Sequence, residues 1–397
     1  MEKNNKTISF EDTSKAFSYK TDRQLRKSYL LFASINNRLL TKLGTNIVKL
    51  ALKIKVPIKG IIRNNLFQQF CGGESIEESL KTVDLLSQYK VGAILDYAVE
   101  GEDTQEDHDK TVIEIKRTIA QAKNHHNIPF SVFKPTGIAS IDLLKKIHSN
   151  ETLSEKEVSE YERVKKRFYE LGKTAFEHKV RLFIDSEDSW IQKPIDDLVN
   201  QMMEEFNTEK AYIFNTYQLY RKGMLQNMKD IVEKARGRFV VGAKLVRGAY
   251  MEKERERAEE MGYEDPIMST KKDTDQQYND ALTFCVENID HIHFCSGSHN
   301  ENSNHHLVAL LNKHNIKPSD ERVFFAQLFG MSDNISFNLS NAGYNAVKYL
   351  PYGPVEAVMP YLMRRAEENT AIAGQSSREL MLIKKELKRR KEQRAEM

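Results

Sequence analysis

The chain has 397 residues, 40% hydrophobic and 29% charged, with a mean hydropathy of −0.59. That composition belongs to a globular protein, and no run approaches the roughly 18 uninterrupted apolar residues of a membrane-spanning helix. The net charge of +3 conceals basic ends on an acidic body: residues 1–63 carry +10 and residues 378–397 carry +4, leaving −11 for the middle. Such a distribution argues against a nucleic-acid groove.

Met1 to Thr21 is polar, and Asp22 to Phe70 reads as helices. Within it, Asn37 to Ile58 places Leu39, Leu40, Leu43, Ile47, Leu50, Ala51 and Ile54 at three- and four-residue steps, with Lys42, Lys49, Lys53 and Lys55 among them. This basic amphipathic stretch suits either a helix packed on the main domain or one lying on an anionic membrane surface. We therefore expect a basic helical arm over residues 1–66, with peripheral membrane contact through residues 22–60.

From residue 91 short apolar, β-branched runs alternate with helical stretches. The runs are 91-VGAILDYAV, 128-IPFSVFK, 180-VRLFIDSE, 211-AYIFNTYQ, 239-FVVGAKLVRG, 291-HIHFCSGSHN, 322-RVFFAQLFG and 345-NAVKYLPYG. Continuous apolar runs separated by helices mean parallel strands covered on both faces. Eight such units without a dinucleotide glycine pattern favour an α/β fold, a distorted (β/α)8 TIM-type barrel over residues 67–375. Residues 150–179 exceed a normal connection, and the Ser154–Glu157 capping box there reads as the start of inserted helices. Residues 376–397 form a charged helical tail.

A barrel carries its functional groups at the C-terminal ends of its strands. The polar residues fall there: Asp96 and Glu100 on the first run, Lys134 on the second, Asp185 and Glu187 on the third, Asn215 and Gln218 on the fourth. Lys244, Arg247 and Gly248 follow on the fifth, Ser298, His299 and Asn300 on the sixth, Gln327 on the seventh, Tyr349 and Tyr352 on the eighth. The last helix carries adjacent Arg364 and Arg365, about 100° apart on a helix, with Glu368 four residues after Arg364 at ion-pair spacing. A planar guanidinium meets a carboxylate bidentately, so the pair suits a carboxylate ligand.

The segments 242-GAKLVRGAYMEKERERA, 324-FFAQLFGMSDNISF and 349-YLPYGPVEAVMPYLMRRAEEN, with 93-AILDYAVEG and 212-YIFNTYQLY, resemble proline dehydrogenase over about residues 64 to 375. The likeness is to the monofunctional, mitochondrial-type enzymes, with no fused aldehyde dehydrogenase expected. It implies an FAD-dependent oxidation of L-proline to Δ1-pyrroline-5-carboxylate, by hydride transfer from proline C5 to flavin N5. Electrons pass to a membrane quinone, in the first step of proline catabolism to glutamate.

Residue by residue, the resemblance assigns Lys134, Arg364 and Arg365 to the substrate carboxylate, and Leu328, Tyr349 and Tyr361 to the walls around the proline ring. Asp185 and Lys244 become the catalytic pair, with Lys244 also at the flavin. Ser186, Asn215, Arg247, Gly248, Ala249, Ser298, His299, Asn300 and Gln327 would hold the cofactor. Lys244 and Asn215 stand where many bacterial members have arginine and glutamine.

Other signals weigh less. His291, His293 and Cys295 alternate on one side of a strand but start it rather than end it, so no metal is expected. The tripeptide 172-GKT lacks the leading glycine of a phosphate loop. Rival readings are oxidation of hydroxyproline or another cyclic imino acid, an aldolase-like barrel using Lys134 or Lys244, and a scaffold without activity. The three cysteines, Cys71, Cys285 and Cys295, suggest a reducing compartment. With no evident signal or transit peptide, the expected location is the bacterial cytoplasm, peripheral on the inner face of the membrane, or a mitochondrion in a eukaryote.

Overall fold

The computed structural model describes residues 8–36, 59–99, 104–371 and 375–396. Each of the eight apolar runs forms one strand: β1 Gly92–Tyr97, β2 Phe130–Phe133, β3 Arg181–Ile184, β4 Ile213–Gln218, β5 Val241–Val246, β6 Ile292–Gly297, β7 Val323–Leu328 and β8 Ala346–Tyr352. The strands follow one another in chain order around a closed barrel. Parallel neighbours demand helical crossovers, which explains why every strand is followed by a helix. The chain divides into two compact units, Ile94–Tyr97 with Glu102–Ala326, and Met1–Ala93 with Ala98–Gly101 and Gln327–Met397.

The first of these units holds most of the barrel. Side chains alternate inward and outward along a strand. Phe130 of β2, Phe183 of β3, Phe214 of β4 and Phe324 of β7 meet inside: Phe130 lies 4.2 Å from Phe183, 5.5 Å from Phe214 and 4.8 Å from Phe324, centroid to centroid. Only inward-facing residues can touch across such non-adjacent strands. Arg181 lies below them, over Phe130 and Phe324 at 5.6 and 5.3 Å. The register Thr216↔Lys244 then sets Lys244 on the inward parity, with its ammonium 5.6 Å from the Phe183 centroid. The barrel is thus closed by an aromatic floor, with charged groups above it.

The stretch read as inserted helices, residues 150–179, holds one helix. Glu155–Glu177 begins at the Ser154–Glu157 capping box and supplies the crossover that β2 and β3 need. The addition is the shorter helix Ile141–His148. Gly172 of the GKT tripeptide sits inside the long helix, where a Cβ would lie 2.7 Å from Met202 Sδ; it is a packing position rather than a phosphate loop.

In the second unit, helix Asp22–Ile35 starts at a reciprocal Thr21–Gln24 cap and buries Leu25, Phe32 and Ile35. These side chains join Phe67, Phe70, Val355, Val358, Tyr361, Leu362, Leu382 and Ile383 in one apolar cluster. The cluster therefore draws in helices Met359–Ala371 and Gln375–Ala395. The apolar face of helix Asp22–Ile35 is thus spent on the protein's own core. The basic stretch 37–58, Glu100 and the side chain of Glu368 lie outside the described residues.

The aromatic floor gives a direct expectation. Phe183 is fully buried, so Phe183→Ala should cost about 3–5 kcal/mol of unfolding free energy, read by chemical denaturation. A loss below about 1 kcal/mol would mean that the floor is not close-packed.

Candidate active site

Asp185 directly follows β3 and shares the parity of Arg181 and Phe183, so it stands above the aromatic floor. Its backbone N–H is held by Phe133 O at 3.0 Å. β5 delivers Lys244 to the same level, where the ammonium donates to Asp185 Oδ1. Lys244 is buried and Asp185 half-buried, and the phenylalanine layer beneath keeps water from the ammonium on that side.

Glu187, two residues on, is a buried carboxyl. Oε1 accepts from the Thr136 N–H at 3.3 Å and the Thr136 hydroxyl at 2.8 Å, tying it to the turn that follows Lys134. Its own backbone is fixed as well: the N–H donates to Gln192 Oε1 at 2.7 Å, and the carbonyl accepts from Gln218 Nε2 at 3.1 Å. Burial raises the Glu187 carboxyl to about 7, against the opposing effect of the Thr136 hydrogen bonds and the nearby Lys134 charge. Ser186 lies buried between the two carboxyls.

A third group gathers where β5 and β6 end. Arg247 lies flat over the Tyr278 ring at 4.4 Å. Its Nε donates to Asp275 at 2.8 Å, and its terminal nitrogens to Ser298 Oγ at 2.8 Å and Ser303 Oγ at 2.9 Å. Helix Glu301–Lys313 begins here, with Asn300 as its cap: Asn300 Oδ1 accepts from Ser303 N–H at 3.1 Å. A guanidinium beside a helix N-terminus suits an anion such as a phosphate. Gly248 has φ of 131°, and a Cβ there would lie 2.3 Å from the Tyr220 ring. Only glycine fits, leaving the backbone of Gly248 and Ala249 exposed on the rim. His299 follows Ser298 in this loop, half-buried.

In the other unit, Arg365 is buried with its guanidinium 5.1 Å over the Tyr361 ring. Arg364 precedes it, partly exposed. Tyr361 belongs to the apolar cluster, and Leu328 packs against that cluster. Tyr349 O accepts from Phe329 N–H at 2.8 Å, so β8 fixes the turn that follows Leu328.

Two expected cofactor residues face the helix layer instead. Asn215 is on the outward parity of β4 and donates to Asp196 of helix Ser189–Phe206 at 2.9 Å. Gln327 accepts from Ser336 of helix Asp333–Asn341 at 2.7 Å. Period-two alternation separates Asn215 from Gln218, which is inward, and whose Oε1 is buried with no hydrogen bond. Counting alternation from the aromatic run would have chosen Gln218. His293, at the start of β6, accepts from the Ala211 N–H at 3.4 Å, and burial lowers its imidazole to about 4.

A proline dehydrogenase family profile matches residues 79–378. The chain belongs to the proline dehydrogenase family. Family membership makes it an oxidoreductase acting on proline. It is 32% identical over 371 residues to carbapenem antibiotics biosynthesis protein CarD of Pectobacterium carotovorum, covering 93% of this chain and 96% of that protein. It is 31% identical to the mitochondrial proline dehydrogenase 1 of Dictyostelium discoideum, covering 96% of this chain and 74% of that one. The human proline dehydrogenase 1 is 43% identical over 241 residues, 60% of this chain and 40% of its own length. Among solved structures, proline utilization A from Bdellovibrio bacteriovorus, inactivated by N-propargylglycine, superposes with a TM-score of 0.71 at 21% identity. That superposition spans 90% of this chain and 38% of the other, and is a likeness of fold.

Glu187 yields a pH expectation. Its folded value of about 7 stands above the ordinary 4.5, so the native state retains a proton that the unfolded chain releases. Stability therefore falls as pH rises from about 4.5 to 7 and levels off above, by up to about 3 kcal/mol. Glu187→Gln should flatten this slope, gaining on the wild type at about pH 8 relative to pH 5 in thermal melts. An identical gap between the two proteins at both pH values would show that Glu187 is ionised throughout.

Proposed function

We propose that the protein oxidises L-proline to Δ1-pyrroline-5-carboxylate with bound FAD and passes the electrons to a quinone. One observation carries the reading: a buried Lys244 paired with a half-buried Asp185 on an aromatic floor, with an inward Gln218 whose buried Oε1 still lacks a donor. A flavin fits this donor and acceptor set, with a ring N–H for Gln218, and phosphates for Arg247, the Glu301–Lys313 helix start and the exposed backbone at Gly248. The cofactor supplies a two-electron acceptor for the hydride that leaves proline C5. Loss of that hydride and of the proton on nitrogen leaves the C=N bond of the product.

The protein's own residues do the rest. Arg364 and Arg365 receive the substrate carboxylate, as does Lys134, and fix the orientation of a small zwitterion. Arg365 is suited to this because Tyr361 holds its guanidinium plane. Leu328, Tyr349 and Tyr361 enclose the ring, exclude water and limit its size. Lys244 stabilises the negative charge that develops as the hydride departs. Asp185 anchors Lys244 and stands as acceptor for the proton from the substrate nitrogen. The buried, guanidinium-capped Tyr361 leaves little tolerance for an added hydroxyl, so proline is favoured over hydroxyproline. Among the described residues no helix is long and apolar enough to cross a membrane; we assign contact with the quinone-bearing surface to the basic stretch 37–58.

The purified protein should be yellow, and anaerobic proline should bleach the flavin band; a colourless protein that stays inactive when supplied with FAD would overturn the reading. Arg365→Met should raise KM for proline about 10- to 100-fold, the worth of a charged hydrogen bond, without changing flavin content. Unaltered proline affinity would remove Arg365 from the carboxylate site.

A further inference from the structure

The turn after β7 is held in a conformation that its own sequence does not favour. Gly330 has φ of 79° and Ser332 has φ of 51°, a left-handed setting that a serine rarely adopts. A Cβ at Gly330 would lie 2.0 Å from Gln69 O. Such a backbone persists only where its surroundings over-determine it, and here those surroundings are charged and buried.

Lys348 of β8, with no exposed surface, donates to Met331 O at 2.6 Å and Leu328 O at 3.4 Å, and pairs with Asp333 at 3.0 Å. Asp333 also accepts from the Tyr19 hydroxyl at 2.7 Å and lies 3.6 Å from Lys20. Tyr19 is further fixed by stacking on Phe337, at 4.6 Å and an interplanar angle of 5°. Lys20 donates to Ser28, Ser28 to Gln69, and Gln69 to Gly330 O at 2.7 Å. From the other end of the chain, Glu379 accepts the Ser332 N–H.

Thus Lys348 holds the carbonyls of Leu328 and Met331, Gln69 holds that of Gly330 and Glu379 the N–H of Ser332, while Tyr19, Lys20 and Lys348 converge on the carboxylate of Asp333. Tyr19, Lys20, Ser28, Gln69 and Glu379 all lie outside residues 79–378, the part matched by the family profile. Buried ion pairs give little stability over apolar packing. What this one supplies is direction, since Lys348, Gln69 and Glu379 hold backbone atoms of the turn and Tyr19 and Lys20 hold the carboxylate beside it.

We propose that Tyr19, Lys20 and Glu379, acting with Asp333 and Lys348, are positioning residues that fix the turn after β7 and so set Leu328 against the substrate ring. Both termini then determine which ring size the site accepts. The inference rests on the reading of Leu328 as a wall of the proline pocket.

The test compares kcat/KM for L-proline and for its six-membered homologue L-pipecolate, in the full-length holoenzyme and in Tyr19→Phe, Glu379→Ala and Leu328→Ala. Tyr19→Phe keeps the stacked ring and removes only the hydroxyl; Glu379→Ala removes the acceptor from Ser332. Each should reduce the proline preference about fivefold, the worth of one hydrogen bond, mainly through KM and with flavin content unchanged. Leu328→Ala should move the ratio in the same direction. A ratio that moves in Leu328→Ala alone overturns the inference and leaves Leu328 in the pocket. A ratio unmoved in all three variants removes Leu328 from the pocket wall and the inference with it. A lower melting temperature with an unchanged ratio in Tyr19→Phe and Glu379→Ala would likewise show those contacts to be structural only.

Discussion

In the proposed function, the chemistry of this barrel depends on a carboxylate and an ammonium set above a layer of phenylalanine. Lys244 lies on β5 and Asp185 directly follows β3, and the carboxylate offsets the cost of burying the ammonium. They are level because the parallel register aligns Thr216 with Lys244 and Ile184 with Asn215, so that β3, β4 and β5 rise together. Water is excluded from beneath them because Phe130, Phe183, Phe214 and Phe324 fill the space below. A lysine held in that way is a fixed dipole source rather than a mobile cation, which is what stabilising a charge that develops during reaction requires.

The same logic organises the rest of the rim. Arg247 is flat on Tyr278 and tied to Asp275, Ser298 and Ser303, so its guanidinium is preorganised before any ligand arrives. Arg365 is oriented by Tyr361. In each case an aromatic face fixes the plane of a cation. The carboxyl of Glu187 is different: its burial leaves it near neutrality in its proton affinity, and its hydrogen bonds to Thr136 brace the turn after Lys134.

Much of the fold was legible because the physical signals were strong. The eight apolar runs became eight strands, since a strand covered on both faces has no room for polar residues except at its ends. Arg364 and Arg365 could be singled out because two adjacent guanidinium groups on helix Met359–Ala371 suit a carboxylate ligand. What stayed hidden depended on direction rather than position. Asn215 and Gln218 are three residues apart and chemically alike, yet strand alternation turns one toward Asp196 and the other inward. The packing of the termini was also hidden. Helix Asp22–Ile35 carries basic residues that suggest a surface arm, but its Leu25, Phe32 and Ile35 enter the apolar cluster, a fate set by residues more than 300 positions away, such as Leu362 and Leu382. No local pattern reports a partner so distant. The Lys348–Asp333 pair was invisible for the same reason, because its five supporting side chains come from both ends of the chain.

The most direct test of the account is a double-mutant cycle on Asp185 and Lys244, read as the single-turnover rate of flavin reduction by proline. If the two act as one preorganised unit, Asp185→Ala, Lys244→Met and the double variant lose similar amounts of rate, and the losses are far from additive. Strictly additive losses would show that the two side chains work independently, and that the pair is not the centre on which the site is built.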